Sequence, residues 1–504
     1  MNIAEAKQQI KNAVEAYLSV DEYGAYCIPL QRQRPVLLIG APGIGKTAIM
    51  EQIASELGIG LVSYSMTHHT RQSALGLPFI TTKNFDGQTY DASEYTMSEI
   101  ISSIYELMEA TGLREGILFL DEINCVSETL SPSMLQFLQY KTFGRHRVPE
   151  GWIIVTAGNP PEYNKSVHEF DIVTLDRVKR IDVEPDFDVW RSYAYEIGVH
   201  DAVMSFLEIK KERFYQVEKT LSGKQFVTAR GWVDLSDMIK LYEAKDIAVD
   251  ANLVCQYVQI PDIAEEFTLY YELYNRYKSE YGIEGILAGE VAPGVEEHAR
   301  AAEFDERLSL MSLLLEGATV KMREAIEVED ALKRLRDCLR ELKAQLPEND
   351  DVCSLLLAQI EGEEAAQEKG IKSNAFSAND LRASRWTVRK LRDLMTLVNT
   401  NAASGEAAFD LVQEAYTGYI NDMRMAGAEA KGQLSHVFEF VERVFGDGQE
   451  LLVLVTELTA RYYPSRFISE YGCEEYYAHN EDLLVYQRGD DLKKRIADLG
   501  IDLK

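Results

Sequence analysis

Five short apolar runs rich in branched residues mark the first third of the chain: VLLIG at 36–40, LVSYS at 61–65, GILFLD at 116–121, WIIVTAG at 152–158 and KRIDVEP at 179–185. Runs of this kind, lacking a strict polar alternation, are expected of parallel strands covered on both faces. Helical periodicity fills most of the intervals between them. The pattern is therefore βαβ, and it predicts a doubly wound parallel sheet of the α/β class. Before the first run, Ile3, Ala6, Ile10, Val14 and Leu18 recur at helical spacing and predict an amphipathic helix. Residues 66–96, rich in Thr, Gly, Ser and Asp, are too long for a simple connection and read as an insertion.

From about 186 onward strands largely vanish and helical periodicity takes over. The expected domains are an N-terminal helix and linker at 1–34, an α/β core at 35–185, a helical lid at 186–250 and a helical C-terminal region at 251–504. Joints are expected at APG (292–294) and in the polar stretch 369–380. Val328, Leu332, Leu335, Leu339, Leu342 and Leu346 alternate spacings of four and three. So short a seam favours an intramolecular helical hairpin over an intermolecular coiled coil. Phe267, Tyr270, Tyr271, Tyr274, Tyr277 and Tyr281 form an aromatic stripe. It is either a stacking platform for single-stranded nucleic acid or one packed helix face, and the surrounding acids favour the second.

Charge narrows the function classes. Among 504 residues, 52 basic against 82 acidic side chains leave a formal net charge of −30. Residues 251–504 carry −19 of it, from 28 basic and 47 acidic residues. Such a chain gains nothing from counterion release on a phosphate backbone and is repelled by anionic membranes, so neither nucleic acid nor membrane is an expected partner. No apolar run approaches 18 residues and the charged start lacks a signal-peptide core, so the expected location is the cytoplasm. Six scattered cysteines without a CxxC pair, and eight histidines without HxxxH, suggest neither disulfides nor a transition-metal site.

The sharpest chemical signal follows the first strand: Gly40, Ala41, Pro42, Gly43, Ile44, Gly45, Lys46 and Thr47 fit G-x-x-x-x-G-K-[ST]. Glycines let consecutive N–H groups curl around phosphate oxygens, and the next helix aims its N-terminus at them. Lys46 would neutralise the β- and γ-phosphates, and the Thr47 hydroxyl would ligate Mg²⁺. A second signal is the apolar strand ending in Asp121 and Glu122. It delivers two acids to the carboxyl edge of the sheet, Asp121 toward Mg²⁺ through water and Glu122 toward the water that attacks the γ-phosphate. Asn159, ending the fourth strand, either hydrogen-bonds phosphate or water or simply starts the turn before Pro160. Arg177, Arg180 and Arg230 are either phosphate-facing arginines or surface ion-pair partners, and spacing does not decide between these.

In this order the motifs resemble an AAA+ ATPase module, and within that superfamily the MoxR type of the dynein-related subfamily. The family's DEINR-like run stands here as Asp121-Glu-Ile-Asn124-Cys125, its A-x-x-N-P as Thr156-Ala-Gly-Asn-Pro160, and its LDRF as Leu175-Asp-Arg-Val178. The likeness spans about 34–245. The resemblance implies Walker A at 40–47, Walker B at Asp121 and Glu122, sensor 1 at Asn159 and sensor 2 at Arg230. It makes Arg177 the first choice, and Arg180 the second, for a finger reaching a neighbour's nucleotide.

The resemblance also implies ATP and Mg²⁺ as cofactors, a homo-oligomeric, hexameric ring, and chaperone-like remodelling or maturation of protein clients. One expected client is a von Willebrand factor A-domain protein. Two other readings remain open from the residues. One is a DNA-associated motor or restriction subunit, for which His68, His69, Arg71, Arg145, His146 and Arg147 are the local basic candidates. The other is a nucleotide-dependent scaffold with little turnover.

Overall fold

The computed structural model describes residues 1–68, 76–127, 129–143, 145–163, 167, 170–220, 223–347, 350–372, 376–401 and 404–480. Its strands are β1 (Val36–Gly40), β2 (Gly60–Ser65), β3 (Pro78–Phe85), β4 (Gln88–Tyr95), β5 (Gly116–Asp121), β6 (Thr142–Phe143), β7 (His146–Arg147), β8 (Trp152–Gly158), β9 (Lys179–Val183), β10 (Gln216–Thr220) and β11 (Gly223–Val227). The chain divides into two compact units. The first comprises 1–189, 228–230 and 360–384; the second comprises 190–227, 231–359 and the chain from 385 onward.

The first unit is built on a five-stranded sheet in the order β2–β5–β8–β1–β9, with every pairing parallel. The inner runs are covered on both faces as expected: all of β8 and all of β5 except Asp121 are buried, and β1 is buried apart from a half-buried Ile39. The edge strands are not, because each has a neighbour on one side only: Ser63 and Ser65 of β2 and Lys179, Arg180 and Asp182 of β9 are exposed. Helices Lys46–Leu57, Glu99–Thr111 and Ser131–Tyr140 lie between strands in the chain. Leu118, Leu120, Trp152 and Ile154 join Ile101, Ile104 and Phe137 in one core cluster. The insertion at 66–96 contains the antiparallel hairpin β3–β4, a detail absent from the sequence reading. His69 and Arg71 of the basic candidates lie outside the described residues.

The second unit is largely helical, with one exception to the expected loss of strands. β10 and β11 pair as an antiparallel hairpin. The Ser222-Gly223 dipeptide was its available turn signal. The predicted lid and the predicted C-terminal region contribute together to this unit, apart from 186–189, 228–230 and 360–384.

The leucine seam lies on helix Phe304–Gln345, with Leu332, Leu335, Leu339 and Leu342 buried, and this helix packs on Gly405–Phe445 within the chain. The aromatic stripe falls on helix Pro261–Tyr281 as a packed face with Phe267, Tyr271, Tyr274 and Tyr281 buried. Its hydroxyls donate to acids: Tyr271 to Glu243 at 2.7 Å, Tyr274 to Glu316 at 2.6 Å and Tyr281 to Glu306 at 2.7 Å. Rings tied down in this way offer no platform for bases.

A buried charge network joins helix Asp201–Ile209 to helix Gln449–Ala460. The Tyr195 hydroxyl lies against Glu208 and, at 2.8 Å, against Glu457, while Arg461 pairs with Asp201 at 3.1 Å and Glu457 at 3.5 Å. Arg191 stands 3.5 Å from Glu457. One hydroxyl hydrogen cannot serve two carboxylates, and three acids face two arginines. Burial, reinforced by Glu457, raises the Glu208 carboxyl from 4.5 to about 7.

The folded state therefore holds a proton that the unfolded chain releases between pH 4.5 and 7, so stability falls as pH rises through that window. Glu208→Gln mimics the protonated form. It should flatten the difference in melting temperature across this window and stabilise the chain at pH 8 by about 1–3 kcal/mol. An unchanged pH profile in the variant would reject the assignment.

Candidate functional site

The site is assembled at the carboxyl ends of three adjacent strands. Because β8 lies between β5 and β1, the residue that follows β8 stands between the acids ending β5 and the loop following β1. In that loop Gly43 and Gly45 have φ of +74° and +94°, values at which a side chain is strained. Gly45 is also the N-cap of helix Lys46–Leu57, whose first-turn N–H groups therefore open toward the loop.

Lys46 is 8% exposed. Its Nζ donates to the carbonyls of Gly40 and Ala41, both at 2.8 Å, and to Asn159 Oδ1 at 2.9 Å. Burial lowers its pKa to about 8; Asp121 opposes the shift, Arg230 adds to it and Glu122 opposes it. The Thr47 hydroxyl donates to Asp121 Oδ2 at 3.3 Å. Asp121 also accepts from the Glu122 N–H at 2.8 Å.

Glu122 occupies the left-handed region at φ +55°. Its Oε2 accepts from the hydroxyls of Ser65 at 2.8 Å and Thr67 at 3.0 Å. These two residues were not singled out in the sequence. They meet Glu122 because β2 is the neighbour of β5, with Ser65 in register with Asp121. Asn124 was likewise only part of a motif, yet its Nδ2 donates to the Asn159 carbonyl at 2.8 Å.

The three arginines part company. Arg230 joins the site: its N–H donates to Gly43 O at 3.3 Å, and it belongs to the short 228–230 segment of the first unit. Arg177 does not. It is exposed, donates to Gln139 at 2.6 Å and precedes the amino end of β9, away from the carboxyl edge. Arg180 is exposed and binds Asp182 through Nε at 2.9 Å and Nη2 at 2.8 Å. It also lines a cavity of about 240 Å³ with Leu37, Ile39, Asn124 and Asn159. Of the basic-loop candidates, Arg145 pairs with Glu94, and His146 contacts Tyr95 O at 3.2 Å.

Residues 36–167 match the family model AAA, "ATPase family associated with various cellular activities". The match includes the Gly40–Thr47 loop, Asp121, Glu122 and Asn159 but ends before the three arginines. Among solved structures, a proline-to-glycine variant of RuvB from Thermotoga maritima is similar at 17% identity and a TM-score of 0.29, over 51% of this chain and 69% of that one. No curated protein matches the chain. No helix among the described residues is long and apolar enough to cross a membrane.

Proposed function

We propose that the AAA ATPase domain at residues 36–167 binds ATP with Mg²⁺ and hydrolyses it, and that the chain works as a ring-forming, chaperone-like remodelling factor of the MoxR type. The observation that carries this reading is that Asp121 and Asn159, from the ends of β5 and β8, meet Thr47 and Lys46 beside the glycine-rich loop. The donor set fits the cofactors. A hydroxyl and a carboxylate 3.3 Å apart are hard oxygen ligands suited to Mg²⁺, and the loop and helix N-terminus suit phosphate. Mg²⁺ when bound supplies charge neutralisation on the phosphates. Lys46 then binds the β- and γ-phosphates, Asn159 orients the phosphate or water, and Glu122 accepts a proton from the attacking water. Ser65 and Thr67 hold the Glu122 carboxylate until that role is required.

The client side of the proposal rests on the motif resemblance, with a von Willebrand factor A-domain protein as the expected partner. The test is phosphate release by the purified chain with ATP and Mg²⁺, measured against protein concentration alongside particle mass. Specific activity should rise with concentration as multi-subunit particles form. A monomer of constant specific activity sinks the ring; ATP binding without phosphate release leaves the scaffold reading.

Lys46 also predicts a pH dependence. Phosphate favours its charged form, so binding above the free-state pKa of about 8 requires proton uptake. ATP affinity should be flat below pH 8 and fall by up to about tenfold per unit above it. Titration calorimetry at pH 7, 8 and 9 checks this, and Lys46→Ala should lack the slope. Constant affinity across that range in the parent chain contradicts the assignment.

A further inference from the structure

Asn124 sits in the short turn Ile123–Cys125 and is 5% exposed. Its Nδ2 donates to the Asn159 carbonyl at 2.8 Å, while its Oδ1 is buried with no hydrogen-bond partner among the described residues. Leaving a buried amide oxygen unmatched costs stability, so fold stability alone gives little reason for an asparagine here. Packing is equally specific. A Cβ on Gly158 would stand 2.4 Å from Asn124 Oδ1 and 2.7 Å from its Cγ, so the carboxamide occupies the space that Gly158 leaves. Asn159 itself precedes Pro160, which confines its backbone to extended geometry. With its carbonyl held by Asn124 as well, Asn159 presents Oδ1 to Lys46 Nζ at 2.9 Å.

We infer that Asn124 is a positioning residue that acts through Asn159, fixing the direction in which the Asn159 carboxamide faces Lys46 and the phosphate site. The inference rests on the ATPase reading for its kinetic consequence, but the contact it describes can be measured without turnover. Asn124 never touches nucleotide in this account; removing its amide lets the 159–160 peptide rotate and the carboxamide drift. A displacement of about 1 Å near reacting groups can cost about a hundredfold in rate.

The experiment compares Asn124→Ala, Asn159→Ala and the double variant. Each is measured for ATP affinity and kcat, and the side-chain amide resonances of Asn159 are compared between the parent and Asn124→Ala by ¹⁵N NMR. Asn124→Ala should lower kcat about ten- to a hundredfold while changing ATP affinity less than about threefold. Asn124→Ala should shift and broaden the Asn159 side-chain resonances, because the carboxamide loses its fixed direction. The double variant should be no worse than Asn159→Ala alone.

Additive losses, an unchanged kcat in Asn124→Ala alone, or Asn159 side-chain resonances left in place by Asn124→Ala, would overturn the inference. If the parent chain shows no turnover, the ATPase reading fails, and the Asn159 side-chain resonances still decide the role of Asn124. Should Asn124→Ala not fold, Asn124→Leu keeps the volume over Gly158, removes the donor and carries the same three measurements.

Discussion

A Glu122→Gln chain will hold ATP about as tightly as the parent and release phosphate about 10²–10⁴ times more slowly, the range expected when a proton acceptor is removed. Lys46→Ala will instead lose most of its nucleotide affinity. The geometry explains the contrast. Lys46 is tied to the glycine loop through Gly40 and Ala41, where ground-state phosphates would sit. Glu122 faces away from that loop, onto Ser65 and Thr67, so its carboxylate contributes nothing to holding phosphate. Replacing it by the neutral amide preserves the shape and removes the basicity. Equal loss of affinity in both variants, each still folded, would refute the division of labour. The Glu122→Gln chain would also serve to test for the proposed clients, because it should remain in the ATP-bound state.

Arg177→Ala will bind ATP yet lose about 10³–10⁵ in turnover, the contribution expected of a finger that stabilises the transferring phosphoryl group. Its position argues that such a contribution must come from a neighbouring subunit. β9 spans five residues, and Arg177 precedes its first residue by two. At roughly 3.3 Å per residue, Arg177 is some 20 Å from the carboxyl edge where Lys46 and Asp121 meet. Its guanidinium is exposed and donates to the half-buried Gln139 of the same unit.

Mixing Arg177→Ala with Glu122→Gln subunits should therefore restore part of the activity, since some mixed interfaces retain both groups. No rescue at any ratio, with co-assembly shown by mass, would remove Arg177 from this role. Arg180 is the weaker choice because its guanidinium is already engaged by Asp182.

What the sequence by itself determined is local. The loop at 40–47 and the strand ending in Asp121 and Glu122 are contiguous, and residue types at short spacing specify them without reference to the rest of the chain. The buried parallel strands were legible for a related reason: full burial of β5 and β8 leaves no polar alternation to hide them. Periodicity also located the seam at 328–346 and the aromatic stripe, because it reports which face is buried. It does not report against what.

That second question was decided only in three dimensions. Strand order set β8 between β5 and β1, which brought Asn159 to Lys46 across 113 residues. The same order brought Ser65 and Thr67 to Glu122. Arg177 precedes the amino end of β9 whereas the Arg230 backbone reaches Gly43, a difference that spacing does not show. Tyr195 and Glu208 meet Glu457 and Arg461 across some 250 residues because helix faces are matched by shape and charge complementarity, which no local pattern carries.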